Sequence, residues 1–175
     1  MPSADQVVLT RGGYEMMKQK LRYLKTDRIQ EVTAKLEKAR GFGDLSENAE
    51  YAAAKEEQSQ LDKQINDLQA TLSGSVKIKD NENLDTSRVG IGVVVTLEDL
   101  DHDNKIYKYM LVGSEELSIL ADIQSDLSVQ CISQKSPVGH AILNETQGSI
   151  VEVKIPKGTR NLKIISIDKP EETEF

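Results

Sequence analysis

Residues 41–58 read GFGDLSENAEYAAAKEEQ and separate two long stretches that both have a helical pattern. Gly41 and Gly43 predict the end of the first helix, because glycine is the residue that most often follows a helix C-terminus. A link of roughly four residues forces two long helices to run antiparallel, since it cannot reach back along either of them. This stretch therefore predicts a helical hairpin with Asp44 and Glu47 at its turn.

The stretch before the turn predicts one long helix over residues 14–40, which contain neither Pro nor Gly. Its apolar residues follow helical spacing, with a slip after Leu24. They are Tyr14, Met17, Leu21, Leu24, Val32, Leu36 and Ala39. Thr10, with Gly12 and Gly13 following, gives a weak start signal.

The stretch after the turn has a spacing of four and three residues and predicts a second helix that ends at Ser73-Gly74. The seam positions are Glu47, Tyr51, Ala54, Gln58, Leu61, Ile65, Leu68 and Leu72. The large apolar residues lie far from the turn, whereas Ala49, Ala53 and Ala54 lie close to it. We expect helices of about 40 Å in a hairpin that is stable at its base and has a thin, charged tip that reaches into another molecule. An ordinary coiled coil with a polar turn is the alternative.

The second half of the chain changes to a strand pattern. Residues 75–87 have the composition of a linker that contains one short strand, and β-branched runs follow. The predicted strands are Val76–Ile78, Val93–Leu97, Lys105–Val112, Val129–Ile132, Ile150–Ile155 and Asn161–Ile167. Ser136 and Pro137 predict the cap and first residue of one short helix. The expected fold class is α+β, with a hairpin domain over residues 1–74 and a small, mostly antiparallel β domain over residues 88–175.

Composition limits the functions that this chain can perform alone. The net charge is −7, with 11 basic and 12 acidic residues in positions 1–73 and 11 against 17 in positions 74–175. Binding to nucleic acid needs clustered Lys and Arg, so we do not expect unaided binding. The single cysteine, Cys131, excludes an intramolecular disulfide and lies in an apolar run, which predicts a buried thiol. We find no basic leader and no apolar run long enough to span a membrane, and we expect a cytoplasmic protein.

Asp44 and Glu47 have two interpretations that the residues alone leave open. An acidic residue followed three positions later by Glu resembles a helix cap, and Ser46 could cap the helix equally well. Alternatively, the two carboxylates share one face of the first turn and hold a hard cation such as Mg²⁺. Magnesium needs octahedral oxygen ligation, so a partner and its phosphate substrate would have to supply the other ligands.

The motif GDLSENAEY, followed by AAAKEEQ, closely resembles the hairpin tip of the Gre transcript-cleavage factors, of the GreA type. The similarity covers nearly the whole chain. LTRGGYEMMKQKLRYL resembles the first helix of the family, and VGIGVVVTLEDLD, YMLVG, ISQKSPVGHAIL and GSIVEVKIP follow the order of its second domain.

This resemblance implies an FKBP-like second domain and a monomer that binds bacterial RNA polymerase. Gre factors insert the hairpin tip through the secondary channel of the polymerase, whose own active site then hydrolyses nascent RNA extruded by backtracking. Asp44 and Glu47 match the acidic pair that helps to hold a second Mg²⁺ there, and Ser46 and Asn48 match supporting tip positions. The resemblance thus implies a factor that completes a catalytic site and is not itself an enzyme.

Four further residues match family positions that contact the partners. Arg40 and Lys55 match basic residues that face the extruded RNA, although the sequence alone is equally consistent with solvated helix charges. Ser136 and Pro137 match the loop that docks at the rim of the channel, a role compatible with helix capping. Phe42 departs from the family pattern, because a polar residue is common at its position.

Two other functions were considered. A peptidyl-prolyl isomerase would need an aromatic-lined pocket, but the second half offers only Tyr107, Tyr109 and Phe175. A Gre-like paralogue that enters the same channel and inhibits transcription would have an altered acidic tip. The intact DLSEN sequence argues against that alternative.

Overall fold

The computed structural model describes residues 7–44, 48–74, 76–120 and 129–171. The chain forms two compact units, one of residues Met16–Gly74 and the other of Met1–Glu15 with Ser75–Phe175. Residues up to Glu15 were expected with the hairpin, but they group with the second half of the chain. The reason is that β1 (Val7–Thr10) pairs in parallel with β2 (Val76–Lys79). The expected α+β class, a helical hairpin followed by a sheet domain, is confirmed.

The first arm of the hairpin is helical from residue 11 but is not a uniform α-helix. It consists of α1 (Arg11–Tyr23), a π-helical turn (Leu24–Arg28) and α2 (Ile29–Arg40). The π turn explains the slip in the apolar pattern, because Leu24 and Val32 are eight residues apart and both buried. A π turn holds about one residue more than an α turn, so the two side chains still face the same side. The prediction of one uninterrupted α-helix was wrong at the π turn, and the helix begins at Arg11, directly after the start signal at Thr10.

The second arm is α3 (Ala49–Ser73), and a cluster of aliphatic side chains packs the two arms together. Its buried members are Leu24, Val32, Leu36, Ala54, Leu61 and Ile65. Leu21, Tyr51 and Leu68 pack against them from partly buried positions. Ala49 and Ala53 were expected in the seam near the turn, but both are exposed. The buried positions Ala54, Leu61 and Ile65 are spaced by seven and four residues, which turns those two alanines toward solvent.

Charged side chains join the arms beside this apolar seam. Arg28 forms ion pairs with Glu31 at 2.6 Å and with Glu57 on the opposite arm. Lys35 donates to both carboxylate oxygens of Glu57, at 2.9 Å each. The hydrogen bond from Lys35, with the positive charges of Lys35 and Arg28, lowers the pKa of the Glu57 carboxyl. One α3 carboxylate therefore binds two cations of the other arm, which favours this antiparallel register over shifted ones.

Among the described residues, five strands form the sheet of the second unit, in the order β5-β4-β3-β7-β6. They are β3 (Val94–Asp99), β4 (Lys105–Val112), β5 (Gln130–Ser133), β6 (Ile150–Ile155) and β7 (Gly158–Asp168). All neighbours pair antiparallel except β4 and β5, which are parallel. The prediction of a single short helix was wrong, since α4 (Ser114–Leu120) precedes α5 (Pro137–Ile142). Parallel neighbours need a crossover connection, and α4 lies in the one between β4 and β5.

The core of this unit is aliphatic, as the composition predicts. Val151 and Val153 are buried while Glu152 and Lys154 are exposed, which confirms the predicted alternation along β6. Cys131 is buried, and burial raises the pKa of its thiol to about 11. Such a thiol holds its proton at neutral pH and serves as a small core residue. No helix in the described part of the chain is both long enough and apolar enough to cross a membrane.

Candidate functional site

The turn of the hairpin starts with a short backbone-bonded segment. The N–H of Gly41 donates to the carbonyl of Lys38 at 3.1 Å, and the N–H of Phe42 donates to the carbonyl of Ala39 at 3.2 Å. Gly41 keeps right-handed helical angles, and the chain leaves the helix at Gly43, whose φ is +114°. A residue with a side chain rarely adopts that angle, so of the two predicted helix-ending glycines Gly43 is the one that the backbone requires.

Asn48 fixes the other side of the turn. Its Oδ1 accepts a hydrogen bond from the N–H of Tyr51 at 3.0 Å, which makes it the N-cap of α3. Its Nδ2 donates to the carbonyl of Ala39, the last buried residue of α2, at 2.6 Å. One side chain thus caps the second arm and bonds to the end of the first. The interpretation of Asp44 or Ser46 as the cap of this helix was wrong, because Asn48 occupies the N-cap position.

The predicted acidic pair is only partly within the described residues. Asp44 is exposed and follows Gly43 directly, whereas Glu47 and Ser46 lie outside the described ranges. Within those ranges we find no group of three His, Cys, Asp or Glu side chains that could hold a metal ion. An exposed carboxylate offers the hard oxygen donor that Mg²⁺ prefers, and Mg²⁺ commonly takes only one or two carboxylates from a protein. The described part of the turn therefore supplies one such donor, Asp44, and a magnesium site here would need its other ligands from elsewhere.

Basic residues lie on both arms near the turn. Arg40 is the last residue of α2, and Lys55 lies in the second turn of α3; both are exposed. The Nζ of Lys55 donates to Oε1 of Gln58 at 3.2 Å, within α3. A groove of about 310 Å³ opens between the arms in the same region. It is lined by Lys35, Lys38, Ala39, Glu50, Ala53, Ala54 and Glu57.

Ser136 and Pro137 lie in the second unit and start α5 as predicted. The Ser136 hydroxyl accepts from the N–H of Gly139 at 3.0 Å and donates to the carbonyl of Ser133 at 2.8 Å. A Cβ on Gly139 would stand 2.1 Å from that same carbonyl oxygen, so only glycine allows the helix to approach β5 this closely. The capping role is therefore confirmed, and Pro137 at the first helical position is exposed.

Tyr107 and Tyr109, considered above for an aromatic pocket, stack on each other. Their ring centroids are 5.9 Å apart with an interplanar angle of 7°, and Nζ of Lys105 lies 5.2 Å from the centroid of the Tyr107 ring. Tyr109 also packs against the core of the sheet. The pair thus contributes to packing and to a cation–π contact. Phe175 lies outside the described residues.

Glu116 is a buried carboxyl that the sequence analysis did not single out. Its side chain accepts from the N–H of Gly113 at 3.0 Å, from the N–H of Thr10 at 3.0 Å and from the Thr10 hydroxyl at 3.3 Å. Burial raises its pKa to about 7 in spite of these donors. The same Thr10 hydroxyl accepts from the N–H of Gly13, so it caps α1 as its position predicted. A recognisable signal was present: Glu at the third position of a helix commonly reaches back to the N-cap N–H, here that of Gly113.

The arrangement defines a class of protein: a helical hairpin with acidic and basic residues at its turn, joined to a small sheet domain. Two family models match this chain, the N-terminal domain of transcription elongation factor GreA/GreB over residues 7–76 and the C-terminal GreA/GreB domain over residues 84–169. The chain belongs to the GreA/GreB family of transcription elongation factors.

Individual relatives agree with that assignment. The chain is 43% identical over 164 residues to transcription elongation factor GreA of Chloroherpeton thalassium, covering 94% of this chain and 98% of the relative. It is 40% identical over 169 residues to GreA of Alkaliphilus oremlandii, covering 97% and 100%. Among solved structures, GreA factor homolog 1 of Thermus thermophilus is 28% identical, with 93% and 98% coverage and a TM-score of 0.40.

Proposed function

We propose that this elongation factor binds bacterial RNA polymerase in the cytoplasm as a monomer and inserts its hairpin turn into the secondary channel. There it stimulates cleavage of backtracked nascent RNA by the active site of the polymerase. The factor has no catalytic activity alone, and it rescues arrested complexes by completing a site that belongs to its partner. The observation that carries the proposal is the position of the DLSEN motif, which starts at the exposed Asp44 between the two arms of the hairpin.

The acidic residues of the turn are the groups that we assign to the chemistry. Asp44 and Glu47 would contribute carboxylate oxygens to a Mg²⁺ ion shared with the polymerase and the RNA. When bound, such an ion lowers the pKa of a water molecule and stabilises the in-line displacement at phosphorus. Asn48 supports Asp44 indirectly, since it caps α3 and bonds to Ala39 and so limits the shapes that the turn can adopt. Ser46 is assigned to the same supporting group.

The remaining predicted residues are assigned to binding. Exposed Arg40 and Lys55 flank the turn on the two arms and would neutralise phosphates of the extruded RNA. Exposed Pro137, held by the Ser136 cap, would dock on the rim of the channel. The net charge of −7 supports these binding assignments. An acidic chain is not expected to hold nucleic acid by itself, so a partner protein has to hold the RNA.

The test is RNA cleavage in purified polymerase complexes that have been stalled and backtracked. Wild-type factor is compared with Asp44→Asn and Glu47→Gln, and with Asp62→Asn as the matched control, an exposed carboxylate elsewhere on α3. The N-cap of α3 is Asn48, so the Asp44 substitution leaves the cap in place. We expect a loss of cleavage of more than about tenfold for both tip variants, since even the outer partners of metal ligands are worth roughly 10–100-fold. The control should match wild type.

Two outcomes would refute the proposal. If both tip variants cleave as fast as wild type while binding the polymerase equally well, the carboxylates are not part of the reaction. If the wild-type factor binds and slows RNA synthesis without stimulating cleavage, the chain is an inhibitor that enters the channel. Helicity measured by circular dichroism, and binding measured by competition with labelled wild-type factor, separate these results from misfolding.

A further inference from the structure

Phe42 is exposed at the turn in a way that folding does not explain. Its side chain is 62% accessible, the largest value among the exposed large apolar residues of the described chain. Exposing an aromatic ring forgoes roughly the transfer free energy that burial would have gained. The cluster that packs the two arms extends toward the turn as far as Leu36 and Tyr51 and does not include Phe42. A polar residue would serve the fold at least as well at this position.

The backbone holds Phe42 in a defined place although the side chain is solvated. Its N–H bonds to the carbonyl of Ala39, and that carbonyl also accepts from Nδ2 of Asn48. Gly43 then redirects the chain at φ +114°. The ring therefore lies on a hydrogen-bonded segment of backbone, two residues before Asp44.

The charges beside Phe42 indicate what would bind it. Lys38 and Arg40 precede it within one helical turn, and both are exposed. Cations with an interleaved aromatic ring are the usual elements of single-stranded nucleic-acid binding, in which the cations attract phosphates and the ring stacks on a base. A surface that docks on another protein would more often place further apolar residues around the ring. The neighbours of Phe42 in the chain are instead glycine, arginine and aspartate.

We infer that Phe42 is a positioning residue that stacks on a base of the extruded RNA and thereby holds the phosphodiester near Asp44. This inference rests on the proposed function and adds to it a contact with the nucleobase, in addition to phosphate contacts. Stacking tolerates any base, because every base has a π face. The contact would therefore aid cleavage without sequence preference.

The test uses full-length factor with polymerase complexes backtracked by two nucleotides. Phe42→Leu removes the ring but keeps apolar volume, Phe42→Tyr keeps the ring, and Ile106→Ala changes a similarly exposed apolar residue of the other unit, 55% accessible, as the matched control. We expect the leucine variant to lose about 5- to 150-fold in cleavage rate at subsaturating factor, the range that loss of one base–aromatic stack gives. The tyrosine and control variants should remain within about twofold of wild type.

A second experiment replaces the extruded nucleotides, one at a time, by an abasic nucleotide. If Phe42 stacks on a base, one abasic position slows cleavage by wild type and has no further effect with Phe42→Leu. If the leucine variant matches wild type on intact RNA, the inference is overturned. It is also overturned if the leucine variant loses the same factor on intact and abasic RNA, since the ring then contacts the polymerase. Failure of the proposed function is distinguishable, because wild-type factor would then stimulate no cleavage on any RNA.

Discussion

Replacement of Asn48 should open the turn of the hairpin, because this side chain makes two separate hydrogen bonds. Loss of an N-cap costs about 1 kcal/mol. Loss of the part-buried bond from Nδ2 to the Ala39 carbonyl, 2.6 Å long, costs about another 1 kcal/mol. Asn48→Ala should therefore destabilise the hairpin by about 2 kcal/mol, whereas Asn48→Ser keeps a capping oxygen and should lose only about 1 kcal/mol.

Two measurements check these values. Urea unfolding followed by far-ultraviolet circular dichroism reports the helical unit. Hydrogen exchange at the Ala52 amide reports the capped end, since that N–H donates to the backbone carbonyl of Asn48 at 3.1 Å and keeps its acceptor in both variants. A change of about 2 kcal/mol corresponds to roughly 30-fold faster exchange in the alanine variant if exchange follows local opening. The reasoning is refuted if the serine variant is as stable as wild type, because the bond across the turn would then contribute nothing. A cost below about 0.5 kcal/mol for the alanine variant would refute both contributions.

Two further predictions concern the buried Glu116. Its pKa in the folded state is about 7, above the ordinary 4.5, so between pH 4.5 and 7 the folded state keeps a proton that the unfolded state has lost. The free energy of unfolding should therefore fall by about 3 kcal/mol as the pH rises through this range. Glu116→Gln should remove this pH dependence in urea titrations at several pH values. Gly13→Ala would stabilise an ordinary helix by up to about 1 kcal/mol, but here the methyl carbon would stand 1.9 Å from Oε2 of Glu116. We expect Gly13→Ala to lower the free energy of unfolding by about 2–4 kcal/mol. Most of this loss should disappear when Gly13→Ala is measured in a Glu116→Ala background. If the effects of the two substitutions are simply additive, that explanation is contradicted.

The parts of the fold that the sequence predicts best are those with a long, regular pattern. Strands Lys105–Val112 and Ile150–Ile155 have the predicted bounds. Buried and exposed side chains alternate along Ile150–Ile155, whereas Lys105–Val112 is a run rich in apolar and aromatic residues that ends in three buried ones. Strand β1 (Val7–Thr10) was missed, and its pairing partner β2 lies on the other side of the hairpin in the chain. The slip after Leu24 was visible, but a slip in spacing does not tell a π turn from a break in the helix.

The positions of Asp44 and Asn48 at the turn were predictable from the sequence, but the hydrogen bonds of Asn48 were not. The motif places Asp44, Ser46, Glu47 and Asn48 at the turn, but spacing alone could not decide which side chain caps α3. That choice depends on which oxygen reaches the N–H of Tyr51 once the turn has formed, and it is Asn48 that does so. Glu116 was missed because α4, the helix that it caps, was not predicted, and because its other partner Thr10 lies 106 positions away in the chain.

The hydrogen bond between Thr10 and Glu116 also affects the order in which the parts of this chain fold during synthesis. The hairpin seam joins residues from Leu24 to Ile65, so it can pack as soon as that stretch has emerged. The first strand emerges earlier still, yet it must wait for Val76–Lys79 to pair and for Glu116 to accept its bonds. Contacts this distant in sequence form slowly. We expect the hairpin to pack during synthesis well before the sheet unit, which contains the first strand, is complete.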